Sequence, residues 1–299
     1  MAKLPPMLWI GGAQGAGKST LAWDLSRTWD LPLHPLDLWA YDHQARLPPG
    51  QSLDEQLARG PEAAADAFEA VSRARLDLVL ADIAARDLGP VPALVEGPQL
   101  IPELAARLPD GASVWLLPDP ERTRQARQER LARQDKLAAG VQDPTQAAAH
   151  PTQAAARPTQ AAARRARTEA LLRRDAILAV RIRQAATSTG RPVIEVPATP
   201  DWPAIKARVE AALAPALRAA PRLHEGLALT TQRRHENATA ARQGRLWAQD
   251  AGLATPPSYP FACECGTSRC RATWRATPGQ YAARAASQLM DLHIGGEHR

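Results

Sequence analysis

A chain of 299 residues, 45% hydrophobic and 23% charged, is long enough to bury a substantial core as one domain with a large appendage or as two domains. The formal net charge is +6 and the basic residues are nearly all arginine, which suits bidentate contacts to phosphate and is compatible with nucleotide or nucleic-acid partners, although a GC-rich codon bias accounts for part of it. The apolar run "MLWI" is too short for a signal segment or a membrane span, and 3 cysteines confined to one short segment argue against a secreted disulfide framework, so a cytoplasmic soluble protein is expected.

In chain order, Met7 to Ile10 reads as a buried strand, the glycine-rich "GGAQGAGKST" follows, and Leu21, Leu25 and Trp29 then recur at helical spacing. Gly12, Gly17, Lys18 and Ser19 match G-x-x-x-x-G-K-[ST] in the strand–loop–helix context that the motif requires. Phosphate chemistry needs this arrangement. With Ala13, Gln14, Gly15 and Ala16 between the two glycines, successive backbone N–H groups converge on phosphate oxygens at a helix N-terminus. Lys18 reaches the β/γ phosphates, the Ser19 hydroxyl can ligate Mg²⁺, and Thr20 completes the first turn.

"LPLHPLDLW" is a short strand candidate, and Asp37 after it lies where a parallel sheet puts its carboxyl edge beside the first loop. A carboxylate there either takes the proton of an acceptor hydroxyl or caps a helix. Asp42 and His43 read as surface polar residues with a weaker case. A long alanine-rich helix is predicted from Pro61 to Arg86. The strand "VPALVEG" then ends in Glu96, which binds Mg²⁺ directly or through water, or caps the following turn. "ASVWLLP" and "RPVIEV" are further strands, the latter preceding a helix over 201–213. Strands alternating with helices argue for an α/β fold with a parallel sheet wrapped by helices.

The connection between the last two strands is too long for an ordinary crossover and predicts an inserted helical lid over about 120–190. Its first helix starts at Pro120 and carries Arg124, Arg127, Arg130 and Arg133 at intervals of three. Its second has Leu171, Leu178 and Ile182 on one face, Arg173, Arg174 and Arg181 beside them, and Gly190 as its stop. A closing lid that delivers arginines such as Arg127 and Arg130 to the γ-phosphate stabilises the charge of phosphoryl transfer and excludes water; a solvated basic face is the competing reading. Between the helices the heptapeptide "PTQAAAH/R" repeats over 144–164. Its prolines and small residues do not suit a coiled coil, and it reads as an expansion in an exposed loop.

After residue 213 a linker is expected over 214–221, then a smaller α+β module over 222–299 with a polar helix from about Leu229 to Ala251. Cys263, Cys265 and Cys270 form a C-x-C-x₄-C array with His293 and His298 downstream. Three thiolates and an imidazole such as His293 suit a tetrahedral Zn²⁺ site, with Gly266 permitting the tight turn; reduced structural thiols or a redox pair are the alternatives. Thr277 as cap and Pro278 in the first turn predict a final helix.

No NKxD-type base-reading motif and no acidic pair at a strand end are present, which removes the signatures of GTPases and large motor ATPases. "GGAQGAGKST", "LDLWAYDHQ", "LVEGPQLIP", "PERTRQARQER", "RRDAILAVRI" and "RPVIEV" together resemble bacterial, actinobacterial-type P-loop proteins related to nucleotide and small-molecule kinases, over roughly residues 7–213. The resemblance implies a P-loop NTPase fold with a five-stranded parallel sheet and a mobile lid. It also implies ATP with Mg²⁺ as donor, lid arginines on phosphates, and a nucleotide, nucleoside or other small hydroxylated metabolite as acceptor. The heptapeptide insertion departs from that pattern. "RRHEN" and the cysteine segment are similar to a small C-terminal module of actinobacterial proteins of unknown function, which supplies no activity. A nucleotide-dependent switch or nucleic-acid-binding ATPase is the alternative, although aromatic stacking groups are scarce in the basic lid.

Overall fold

In the computed structural model, which describes residues 6–86, 88–108, 111–140 and 152–291, five short strands form one parallel sheet. They are β1 (Met7–Gly12), β2 (Leu33–Pro35), β3 (Ala93–Glu96), β4 (Ser113–Pro118) and β5 (Val193–Val196), in the order β2-β3-β1-β4-β5. Every residue of β1, β3 and β4 is buried, as central strands covered on both faces must be. Trp9 and Trp115 fill the space between sheet and helices, and the Trp115 indole donates to the Leu100 carbonyl at 2.7 Å, so its burial strands no polar group.

Helices α1 (Lys18–Thr28), α2 (Ala40–Arg46), α3 (Leu53–Ala58) and α4 (Pro61–Ala84) separate the first three strands. Ser52 and Glu55 form a reciprocal capping box at the start of α3, and Pro61 opens α4. The lid insertion is a pair of long helices, α5 (Pro120–Gly140) and α6 (Thr152–Ser188). Leu171, Leu178 and Ile182 are its buried stripe, and Gly190 stops the chain with φ 63°. The heptapeptide repeat is not a loop where it is described: residues 152–164 belong to α6, and positions 141–151 lie outside the described residues. Alanine, glutamine and arginine are good helix formers, and Pro158 removes a single backbone bond from a helix of 37 residues.

The expected linker is also largely helical. α7 (Trp202–Ala219) runs through 214–219 because Ile205, Val209, Leu213 and Leu217 continue one buried face at intervals of four, and that burial outweighs the bond lost at Pro215.

The C-terminal part comprises α8 (Leu227–Asp250), an antiparallel hairpin of β6 (Tyr259–Ala262) and β7 (Thr273–Ala276), and α9 (Pro278–Asp291). Phe261, Trp274 and Tyr281 cluster at its centre. One buried carboxylate gathers several of the bonds that join it to the sheet domain. Glu236 accepts from Arg27 at 2.9 Å, from the Leu33 amide at 2.9 Å, from Gln232 at 2.7 Å and from Arg233 at 2.9 Å, joining α8 to α1 and β2. Among the described residues no helix is long and apolar enough to cross a membrane.

Removing that carboxylate leaves two buried guanidinium groups without their counter-charge. Glu236→Ala is expected to lower the unfolding free energy by about 3–5 kcal/mol, read by urea denaturation at neutral pH; a loss below about 0.5 kcal/mol, the scale of an ordinary surface change, would mean that α8 is held by other contacts.

Candidate functional site

The loop after β1 is shaped by its lack of side chains. Gly12, Gly15 and Gly17 have φ of 122°, 85° and 75°, in the region that favours glycine. A Cβ at Gly12 would stand 2.0 Å from the Leu116 carbonyl oxygen, and one at Gly17 would stand 2.5 Å from the Trp202 ring. Gly17 caps α1 without any side-chain hydrogen bond, and α1 has no acidic residue in its first turn, so the N–H groups of Lys18, Ser19 and Thr20 keep the positive end of the helix available to an anion. Gly12 and Ala13 are buried at the base of the loop. Gln14, Gly15, Ala16 and the residues up to Thr20 line a cavity of about 300 Å³ at the carboxyl edge of the sheet. The cavity lies where the chain leaves β1 towards β2 on one side and β4 towards β5 on the other.

Lys18 arches back and donates to the Ala13 carbonyl at 2.7 Å. It is only 6% exposed, and burial lowers its pKa while the nearby Glu96 and Asp37 carboxylates partly restore it. Glu96, at the end of β3 and 3% exposed, is not a turn cap: its carboxylate is hydrogen-bonded to Ser19, and β-sheet register places it beside Ile10 at the root of the loop. Burial pushes its pKa up to about 7, against the pull of Lys18 and Ser19 and with the help of Asp37. Asp37 is not a helix N-cap either. Pro35 holds that position, and Asp37 sits in the first turn of the 3₁₀ helix Leu36–Trp39, exposed on the same cavity.

The first lid helix closes the cavity from above with Arg122, Thr123, Ala126, Arg127 and Arg130. These positions share a face at steps of three and four, whereas Arg124 points outward to Glu121 and the Arg133 side chain lies outside the described residues. Arg127 is both a cavity wall and a strut: with Arg174 of α6 it grips the buried Asp175, Arg127 Nε at 3.0 Å and Arg174 Nη2 at 2.8 Å. Arg181 of α6 is bonded to Asp66 and Glu69 of α4, and Arg173 lies on the far side of the lid.

A second cavity of about 550 Å³ opens beside the first. Gln14, Arg127 and Arg130 line both cavities. Arg164, Arg167 and Arg174 make its walls basic, while Leu53, Leu131 and Trp247 make them apolar. Sequence reasoning missed Arg122, Trp202 and Trp247. The i, i+4, i+8 spacing of Arg122, Ala126 and Arg130 was available to reveal the first; the two tryptophans arrive through tertiary packing of α7 and α8 and have no local signal.

His43 is not a surface residue. It is fully buried, accepts from Arg75 Nε at 3.1 Å through Nδ1, and is thereby left to donate from Nε2 to Asp82 at 2.7 Å. Asp42 pairs with Arg46 and Arg242. In the C-terminal hairpin the three cysteines are free and their sulfurs converge. The Thr267 hydroxyl draws the Cys265 thiol down to about 7, and burial raises Cys263 to about 11. The predicted fourth ligand, His293, lies outside the described residues, as does His298. Comparison with protein-family models and with curated proteins gives no match.

The raised Glu96 pKa carries a sign. A carboxyl that holds its proton more tightly when folded contributes stability fully present below the unfolded pKa of 4.5 and lost as pH rises through about 7. Glu96→Gln should therefore gain on the wild type by roughly 2–4 kcal/mol between about pH 4.5 and about pH 8, seen as diverging thermal or urea midpoints. Parallel pH profiles for the two chains would mean that Glu96 ionises as freely as in the unfolded chain.

Proposed function

We propose that the chain is a P-loop phosphotransferase that binds ATP with Mg²⁺ in the cavity of the glycine loop and passes the γ-phosphoryl group to a small acceptor in the adjoining basic cavity. The observation that carries this reading is the pair of cavities meeting at Gln14, Arg127 and Arg130: one is built for phosphates, and the other has room for a second molecule. The sheet order with β3 beside β1, the left-handed glycines and Lys18 support a P-loop nucleoside-triphosphate fold. Lys18 would pair with the β/γ oxygens, and Ser19 with Glu96 would hold Mg²⁺, whose charge supplies electrostatic stabilisation of the transferring phosphoryl group.

In the transfer the bond from the γ-phosphorus to the bridging oxygen breaks, ADP leaves, and the acceptor oxygen forms the new bond. Where that oxygen is a hydroxyl, Asp37 takes its proton. Arg130 sits at the junction where charge develops, and Arg127, held by Asp175, fixes the closed lid above it. Arg130, shared by the two cavities, is placed to meet an anionic group of the acceptor, a nucleotide or phosphorylated metabolite, with Trp247 as a flat wall for a ring.

The alternative, an ATPase acting on nucleic acid, has less support. Arg127, Arg167, Arg174, Arg181 and Arg183 of the lid are each bonded to carboxylates instead of forming an outward basic face.

Incubation with ATP, Mg²⁺ and a panel of nucleosides, nucleotides and phosphorylated or hydroxylated metabolites should reveal ADP formation that depends on one acceptor class. Consumption of ATP indifferent to every acceptor would overturn the transfer reading, and steeply salt-dependent DNA or RNA binding would favour the alternative. Lys18→Ala should abolish nucleotide binding. Arg130→Ala should lower kcat by about 100-fold with little change in the KM for ATP; an equal rise in KM would assign Arg130 to ground-state binding.

A further inference from the structure

Between β6 and β7 the chain makes a tight knuckle from Cys263 to Ala272. The residues between Cys265 and Cys270 are Gly, Thr, Ser and Arg, none of them an apolar anchor. The knuckle is nonetheless sharply defined. The Cys263 amide donates to the Ala272 carbonyl at 2.9 Å across the hairpin mouth, and the Cys270 amide donates to the Thr267 carbonyl at 3.3 Å within the turn. Gly266 has φ 74°, and a Cβ there would stand 2.6 Å from the Gly226 oxygen; Arg269, which is not glycine, also has positive φ at 56°. These bonds and the two left-handed residues turn the chain around a common centre. At that centre the sulfurs of Cys263, Cys265 and Cys270 all lie within 4.8 Å of one another, and no two are joined in a disulfide.

The outer side of the same knuckle grips the nucleotide domain. Ser268 Oγ donates to Asp30 Oδ2 at 2.5 Å and the Arg269 amide donates to Asp30 Oδ1 at 2.8 Å. Arg271 bonds to Asp24 and donates to Thr28 Oγ1 at 2.7 Å. Asp24 and Thr28 are on the last turns of α1, whose first residue is Lys18, and Asp30 is in the turn that leads into β2. The Gly226 amide donates to the Gly266 carbonyl at 2.9 Å, tying in the start of α8, the helix that brings Trp247 to the second cavity.

We propose that Cys263, Cys265 and Cys270 bind one thiophilic divalent cation of the Zn²⁺ type, and that the bound ion is the centre of a clasp fixing residues 266–271 against the far end of the helix that starts at the phosphate loop. Three sulfur ligands select a soft or borderline metal and exclude Mg²⁺ and Ca²⁺. Binding releases the thiol protons to solvent and forms three metal–sulfur bonds without any change of oxidation state, so no co-reactant is needed. Three sulfurs leave the ion open to a further donor from outside the knuckle. The ion acts on structure. It does not touch the phosphate cavity, and the inference stands whether or not the chain transfers phosphate.

The test uses the full chain, purified without chelator and loaded with Zn²⁺ or Co²⁺. One tightly bound ion per chain by elemental analysis is expected, with a thiolate-to-Co²⁺ charge-transfer band. Cys265→Ser and Cys270→Ser should each weaken binding at least tenfold, while Cys270→His, which keeps a ligand, should retain the ion even where the serine variants fold poorly. Stripping the metal should accelerate hydrogen exchange at the amides of residues 24–31 at least tenfold. Three outcomes overturn the proposal: no stoichiometric ion with alkylation of the thiols unaffected by Zn²⁺; a disulfide among the three in the purified chain; or a bound ion whose removal leaves exchange at 24–31 unchanged, which removes the clasp.

Discussion

The close approach of backbone to neighbouring elements at Gly12, Gly15 and Gly17 is the constraint on which the rest depends. At these three positions the loop lies against the β4 backbone, against Ala126 of α5 and against the Trp202 ring at the start of α7. A methyl group at any of them would meet another element at under 3 Å, so the cradle cannot be loosened locally. The geometry that leaves its N–H groups turned inward is therefore the same geometry that seats the lid helix and α7 around it. Lid, sheet and α7 share one point of closest packing.

From that point α1 works as a strut. Its first turn carries Lys18, and its middle and last turns present Asp24, Arg27 and Thr28 to the C-terminal part, where Glu236 and Arg271 take them up. Because Glu236 also accepts from the Leu33 amide, the edge strand β2 is fixed by a side chain two hundred residues away in sequence. An apolar contact would have given more stability per residue buried, but it would not have set register and orientation as four directional bonds to one carboxylate do. The same logic holds in the lid, where Asp175 receives Arg127 from one helix and Arg174 from the other.

The sheet was legible in the sequence because its strands are short, apolar and separated by amphipathic helices, and periodicity reports burial directly. The glycine loop was legible because Gly12, Gly17, Lys18 and Ser19 stand at a fixed spacing between a strand and a helix. What escaped was decided by packing. Prolines at 158 and 215 suggested breaks, yet long buried or helix-favouring stretches on either side carry α6 and α7 through them. His43 carries no mark of burial, since its partners Arg75 and Asp82 come from a distant turn of α4. Asp37 and Glu96 were placed on the correct edge, but the choice between capping and lining the cavity needed the neighbouring turns. Trp247 belongs to a helix assigned to the C-terminal module, and the bonds of Glu236, Arg242 and Gln243 to the sheet domain explain why it arrives.

The two buried charges of the cavity are shifted in opposite senses. Lys18 is shifted towards losing its proton and Glu96 towards keeping one, both because burial withholds water from them. Each is the counter-charge of the other, yet the ammonium rests on the Ala13 carbonyl and the carboxylate on Ser19. Lys18 and the helix N-terminus face Arg130 across the cavity, Arg122 is bonded to Glu129, and the Asp37 and Glu96 carboxylates stand beside them. An anion at the centre lets Lys18 stay charged, and a cation between that anion and Glu96 lets the carboxyl ionise. The polyphosphate with a divalent metal proposed above would supply both charges and relieve both shifts at once. A bare anion would relieve only the first, so under the proposed function the buried Glu96 is the residue that calls for a metal beside the phosphates.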